Sequence, residues 1–501
     1  MPIFTFQADQ IRTLSEDTLV ELLMQADAQA FIDVWLPEIA GVQDGAHRIV
    51  DTLIERCEAL GLLPRIQENG FLELGSSLNE TRLGRWILFR LLVLADQPKD
   101  AIRVAEDLLN EGFDGRFGLD VCSFALKFGE GVLALKAYAQ TVRSTRDYQF
   151  LLRAGRLFKK LERVHEVQQL PLLRIALLMQ SAPQLLVPVI RAKALAFGLR
   201  LEVYTGEYNA MDQEILNPDS GLYSFRPDMV ILGNHSRCLD WLSIDLSVEE
   251  WLEEALGSIQ QRWQCLTTRL DCHVIQLGFE LSPDDCLGNL SASLPEGKHR
   301  RVTALNAAMA SHLPSVSLVD VSRLAFAQNQ GPWMDERLWL SGRQYPSPLA
   351  MVPLAEEFVS LFRAKAGLTK KVIVLDLDNT LWGGVIGEDG IDGIQIGREV
   401  PEAEAYLVFQ EALLALKSRG VLLAVCSKNN DADARLPFLQ HQGMRLQLDD
   451  FVAFKANWDA KPRNVELIAR DLNLSLDSIV FLDDNPAERF LMRQQLPEVV
   501  T

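Results

Sequence analysis

The sequence predicts an α/β chain with two parallel sheets, preceded by an all-helical region. Three observations carry that expectation. Short, wholly apolar runs such as Val372-Ile-Val-Leu375 stop abruptly at polar residues, the pattern of strands covered on both faces. Stretches with helical spacing of apolar residues lie between those runs, for example from Glu402 to Arg419. Before residue 168, helix formers are dense and alternation is scarce. The expected organisation is a helical region at 1–168, a first α/β domain at 169–368 and a second at 369–501.

Composition narrows the class. The 501 residues are 48% hydrophobic, enough for several cores. A net charge of −19 argues against non-specific nucleic-acid binding and would repel an acidic partner unless a local basic patch receives it. Seven cysteines are scattered without a C-x-x-C pair, so no zinc site or disulfide framework is indicated. The first residues, Met-Pro-Ile-Phe-Thr-Phe, lack a charged start followed by an apolar core, and no apolar run reaches membrane-spanning length. The expectation is a reduced, soluble, cytoplasmic protein with neither nucleic-acid nor membrane partners.

In the first region, Ser15-Glu-Asp opens a helix with acids in its first turn. Leu88–Asp96 with Ala101–Leu109, then Phe124–Gly129 with Val132–Tyr138, read as paired helices, and Leu151–Leu161 starts a third unit. The repeat length resembles tetratricopeptide hairpins; an irregular bundle fits equally. Neither offers catalytic groups, so the region is expected to dock or assemble.

The next domain alternates strands at Arg174–Met179, Leu201–Tyr204, Met229–Leu232, His273–Gly278 and Val316–Asp320 with helical stretches. Ser181 follows the first strand as either a nucleophile or a helix cap, and His235 follows the third as a loop histidine. Leu338 stands three residues after Asp335, where a serine hydrolase of this layout would carry its histidine. A binding platform without hydrolysis is expected.

The last domain carries the chemistry. Asp376 and Asp378 follow the run Val372–Leu375, and buried carboxylates there need compensation, as from Mg²⁺. Val421–Val425 ends in Cys426-Ser427-Lys428-Asn429, Lys461-Pro462 opens an amphipathic segment, and Ser478–Leu482 ends in Asp483-Asp484. Asp376 is the expected nucleophile and Asp378 the acid–base group, with Ser427 and Lys461 holding phosphoryl oxygens. Asp376, Asp378, Asp483 and Asp484 are the expected metal ligands, and Asn379, Thr380, Lys428 and Asn429 are expected around the substrate. Cys426 is either an acyl relay or a buried apolar residue. A strand running through Ser427 would send the two side chains to opposite faces. Only a short Gly-rich flap, Gly383 to Gly397, lies over the site, with no room for a cap domain.

These motifs, in this order, resemble the haloacid-dehalogenase (HAD) superfamily. Leu381-Trp-Gly-Gly-Val-Ile-Gly-Glu-Asp-Gly390, Leu423-Ala-Val-Cys-Ser-Lys-Asn429 and Phe481-Leu-Asp-Asp-Asn-Pro486 resemble the FkbH family more specifically. Gln213–Asp228, Gly288-Asn-Leu290 and Trp333–Trp339 resemble that family's SGNH-hydrolase-like half. The resemblance implies a Mg²⁺-dependent glyceryl transferase/phosphatase of polyketide biosynthesis. Such an enzyme would take a phosphorylated three-carbon substrate, D-1,3-bisphosphoglycerate, and load glycerate onto an acyl carrier protein through its phosphopantetheine thiol. A plain phosphatase, or a scaffold with vestigial catalysis, remains open.

Overall fold

The computed structural model describes residues 54–55, 82–110, 116–239, 241, 247–281, 285–311, 316–327, 331–398 and 400–501. The helix start at Ser15 lies outside them. The described residues form two units, one up to Phe362 and one from Arg363.

In the first unit, α1 (Arg82–Leu94) and α2 (Pro98–Asn110) make one hairpin, and α3 (Arg116–Phe128) and α4 (Gly131–Ser144) the next. Leu151–Leu161, the expected third unit, resolves into short helices α5 (Tyr148–Gly155), α6 (Phe158–Leu161) and α7 (His165–Gln168). The chain then enters a five-stranded parallel sheet of β1 (Leu172–Met179), β2 (Arg200–Thr205), β3 (Met229–Gly233), β4 (His273–Leu277) and β5 (Val316–Val319), in the order β2-β1-β3-β4-β5. All five predicted strands are present. The apolar face of the sheet packs under helix Val248–Arg269, through Trp251, Ile259, Trp263 and Leu266.

The sequence sets a boundary at 168/169, but α4 and α5 pack directly on α8 (Leu186–Ala196), and one unit results. Lys193, wholly buried on α8, fastens them: its Nζ donates to the Thr145 carbonyl at 2.8 Å and to Glu356 Oε1 at 2.9 Å. An ammonium with no access to water is retained only where such acceptors replace its hydration.

The second unit is a four-stranded parallel sheet of β6 (Val372–Leu375), β7 (Leu422–Ser427), β8 (Phe451–Ala456) and β9 (Ile479–Leu482), in the order β8-β7-β6-β9. Central β6 is buried along its whole length. Each of its side chains contributes about 1.5–3 kcal/mol by leaving water. Val500 adds a single parallel bridge to Val480. Strand β8 was not predicted; it lies at the sheet edge, mostly half-exposed, and its apolar start, Phe451–Phe454, runs on into Lys455.

The Lys193 clamp generates a stability prediction. Lys193→Ala strands the Thr145 carbonyl, leaves Glu356 only the exposed Arg146 at 3.8 Å, and lowers unfolding free energy by about 3 kcal/mol. Urea denaturation checks this; a loss under about 0.5 kcal/mol, the usual scale of a surface substitution, contradicts it.

Candidate active site

Sheet order decides where a site forms. In open parallel sheets, ligands bind beyond the carboxyl ends of strands at the point where the strand order reverses. In the second unit that point lies between β6 and β9, the strands that end in Asp376 and Asp483.

Asp376 is fixed there by its own N–H, which donates to the Leu482 carbonyl at 2.9 Å. Its Oδ2 lies 2.9 Å from Lys461 Nζ, and the same ammonium reaches Asp483 Oδ2 at 2.5 Å. Lys461 is the first residue of α9 (Lys461–Asp471) and is buried with both acids. Burial alone would pull the Lys461 pKa down; the charge of Asp376 and the bonds to both carboxylates outweigh it, and the net shift is upward. Burial, with the charge of Asp376, pushes Asp483 up. One lysine does not neutralise the acids gathered here.

Two buried atoms at this site have no hydrogen-bond partner, Asp376 Oδ1 and Thr380 Oγ1. Buried polar atoms are normally satisfied, so such orphans mark a place where a ligand completes the structure. Asp376, Asp483 and exposed Asp484 offer oxygens within 4.8 Å of one another. Three carboxylates with an unused buried oxygen suit Mg²⁺, a hard cation that takes few carboxylates and keeps several waters.

The other expected residues divide. Ser427 closes β7 and is buried, and Asn429 Nδ2 donates to its Oγ at 3.2 Å. The same Nδ2 donates to Asp378 Oδ2 at 2.7 Å. Asp378 departs from the expectation of a metal ligand: its carboxylate is outside the acidic cluster, because Oδ1 accepts from Trp382 Nε1 and the Ile386 N–H, each at 3.0 Å. Asp378 thus ties down the flap, whose Ile386, Ile394 and Ile396 sit in the core beside fully buried Trp382. Asn379 adopts φ 52°, and its Oδ1 accepts from the Gly384 N–H at 2.9 Å, a turn role. Lys428 is paired with Glu488 at 2.6 Å. Trp458 is 70% exposed on the loop after β8, with Nε1 on Asn430 Oδ1 at 3.1 Å.

Cys426 is not at the mouth of the site. β7 runs straight through Ser427, so alternation turns the thiol to the opposite face, among Val372, Val374, Val465, Ile468 and Phe481. Sγ lies 3.7 Å from the Lys461 carbonyl, and burial pushes the thiol up to about 12. A protonated, inaccessible thiol is a poor relay.

The equivalent place in the first unit, between β1 and β3, is built differently. Ser181 is buried and donates to the Tyr345 carbonyl at 3.0 Å, so it is neither a free nucleophile nor a helix cap. Asp335 caps helix Glu336–Gly342 by accepting from the Arg337 and Leu338 N–H groups. The His235 ring is wedged between Trp339 and Tyr345, at centroid distances of 4.6 and 4.8 Å. Cys238 Sγ lies 3.1 Å from Nε2 and 3.7 Å from Nδ1. Being nearly equidistant, the sulfur sits over the ring, out of line with either in-plane lone pair. No serine or cysteine triad results among the described residues. Glu280, buried and pushed up chiefly by that burial, accepts from Ser236 and Tyr345.

Sheet order, paired acids and lysine together define an α/β enzyme of phosphatase type. Residues 174–358 match the FkbH N-terminal domain. The structure is similar to the N-terminal part of the protein BF1531 from Bacteroides fragilis, which contains a phosphatase domain and was crystallised complexed with Mg. Identity there is 30%, with 70% of this chain and 92% of that chain covered and a TM-score of 0.62. The chain belongs to the FkbH family. Full-length LpoA from Haemophilus influenzae, at 9% identity over 97% of this chain and 87% of its own and a TM-score of 0.18, is too dissimilar to carry an argument. No curated protein matches. No helix among the described residues is long and apolar enough to cross a membrane.

Two predictions belong to these placements. Burial, with the nearby Arg237 charge, lowers His235 to about 4. A free histidine titrates near 6.5, so below that pH the unfolded chain takes up a proton that the folded chain refuses. Stability therefore falls as pH drops from about 6.5 to about 4, by about 3 kcal/mol from this residue. Denaturant midpoints across that range test it: His235→Gln removes that component of the slope, and an unchanged slope contradicts it. Cys426→Ser retains phosphate release within about threefold, since the thiol touches no reacting group. A loss of a hundredfold would return Cys426 to the mechanism.

Proposed function

We propose that the second unit is a HAD-type, Mg²⁺-dependent catalytic domain that dephosphorylates D-1,3-bisphosphoglycerate, and that the protein loads the glyceryl group onto an acyl carrier protein as a thioester for polyketide biosynthesis. The observation that carries the catalytic part is Asp376: a buried carboxylate with one oxygen on Lys461 and the other unpartnered, at the reversal point of the sheet. Membership of the FkbH family and the motif resemblance support the substrate and carrier. An SGNH-hydrolase-like ancestry for the first α/β unit, without its catalytic triad, is part of the same reading.

Asp376, Asp483 and Asp484 would hold the Mg²⁺, which supplies positive charge against the phosphoryl oxygens. Asp376 Oδ1 attacks phosphorus and the bond to the leaving oxygen breaks, giving an aspartyl-phosphate. Asp378 hands a proton to the leaving oxygen and takes one back from the water that releases phosphate; its Oδ2 has one donor against two on Oδ1. Lys461 and the Ser427 hydroxyl receive the charged oxygens, a fixed ammonium and a donor already in place before substrate arrives. Cys426 being enclosed, the carrier thiol attacks the acyl carbon of the acyl phosphate directly, forming the thioester and expelling inorganic phosphate; the phosphoryl group that Asp376 removes is the one esterified at the other end of the substrate.

A second reading has one observation in its favour: the similar Bacteroides protein is described by its phosphatase domain alone. On that reading the chain hydrolyses a small phosphate ester without acyl transfer. Intact-mass spectrometry of a holo-carrier protein incubated with the protein, Mg²⁺ and bisphosphoglycerate separates the two. A glyceryl adduct supports transfer; phosphate release without an adduct supports hydrolysis.

Asp376→Asn keeps the shape of the side chain and abolishes phosphate release with the fold intact by circular dichroism. Retention of more than about 5% of turnover removes Asp376 as nucleophile. Chelation of divalent cations likewise stops release in the wild type, and added Mg²⁺ restores it.

A further inference from the structure

The chain's charge is unevenly distributed. From Lys127 to Glu166 it has nine lysines and arginines against four acids, a net +5 inside a protein of −19. This stretch runs from the end of α3 to the start of α7, outside the part matched by the FkbH N-terminal domain. It surrounds a groove of about 670 Å³ lined by Leu126, Lys127, Lys160, Arg163, His165 and Glu166.

Two glycines hold the groove together. Gly129 ends α3 at φ +80°, a backbone conformation that side chains disfavour. Gly131 starts α4 so close to the next wall that a Cβ there would meet Val164 at 2.6 Å and collide with Glu166 Oε2. That close approach brings Lys127 on one wall beside Lys160 and Arg163 on the other. None of the three cations forms an ion pair with a described residue. Some cations elsewhere are held by acids of their own, as in Arg262–Asp212, Lys417–Asp450 and Lys428–Glu488. The groove's charges are therefore available to an anionic partner.

We propose that this groove is the docking site for an acidic helical face of the carrier protein; the proposal rests on the carrier reading above. Charge complementarity selects that occupant. An extended polyanion such as nucleic acid would run off the patch onto a surface whose net charge is strongly negative. A compact acidic face covers only the patch, gaining attraction and faster encounter while the rest of the protein repels misplaced partners. Docking also holds the arm near the enzyme at high effective concentration.

The test uses the full chain, a fluorescently labelled free-standing holo-acyl carrier protein, and single-stranded oligothymidine as a competing polyanion. Wild type is expected to bind the carrier, more weakly as salt rises, and to be little affected by oligothymidine. The triple variant K127E/K160E/R163E is expected to bind at least about tenfold more weakly and to raise KM for the carrier in glyceryl loading, with kcat nearly unchanged. Phosphate release without carrier should stay at the wild-type rate, which shows the variant folded. No carrier binding by wild type, or equal binding and loading by the variant, overturns the proposal. Oligothymidine displacing the carrier overturns it in favour of a nucleic-acid site. Carrier binding that depends on the three cations, but without loading, leaves the docking site standing and sinks the transfer reading alone.

Discussion

The second unit depends on one ammonium held between two carboxylates. Lys461 touches Asp376 and Asp483, which end adjacent parallel strands, and itself opens the helix that packs beneath them. Removing water from three charges is costly, and their mutual attraction offsets that cost only with good geometry. Strand register supplies the geometry: Leu375 pairs with Leu482, so the next residues, Asp376 and Asp483, leave the sheet side by side. Displacing β9 by one residue would turn Asp483 to the opposite face and leave Lys461 with one partner.

The two parallel sheets invite comparison. Both have a reversal point at their carboxyl edge, and both place polar side chains there. In the first unit those groups satisfy one another: Ser181 on a backbone carbonyl, His235 between aromatic rings, and Glu280 on Ser236 and Tyr345. In the second, Asp376 Oδ1 and Thr380 Oγ1 remain unsatisfied. A saturated polar cluster stabilises a fold, whereas an unsaturated one at a sheet edge is poised for a ligand. Satisfaction of hydrogen bonds, rather than residue type, distinguishes the reactive edge from the structural one.

Much of this was legible in the sequence because buried parallel strands announce themselves as unbroken apolar runs. Val372–Leu375 and Met229–Leu232 were located within a residue of their observed ends, and the polar residues after each followed from position alone. Edge strand β8 also begins with an apolar run, Phe451–Phe454, but that run passes into Lys455 instead of ending in a motif residue, so nothing drew it out. Side-chain direction was legible only as a conditional. Alternation set Cys426 and Ser427 on opposite faces if the strand continued, and whether it continued was a tertiary matter. Asp378 shows a further limit: spacing placed it beside Asp376, but the turn at Asn379 re-aimed its carboxylate at the Trp382 indole. His235 and Ser181 of the first unit also needed neighbours distant in sequence, Tyr345 and Trp339, to become interpretable.

The fastening of the flap by Asp378 links two quantities usually treated as separate. The oxygen that accepts from Trp382 and Ile386 belongs to the carboxyl proposed above to exchange the proton in catalysis. Protonating that group weakens it as an acceptor, so the flap's grip loosens when the carboxyl carries its proton and tightens when it gives the proton away. Loop order and proton transfer at that carboxyl are thus linked through shared hydrogen bonds. Leaving-group protonation and closure over the site would then be coupled events, with the indole of Trp382 acting as a built-in reporter of where the proton is.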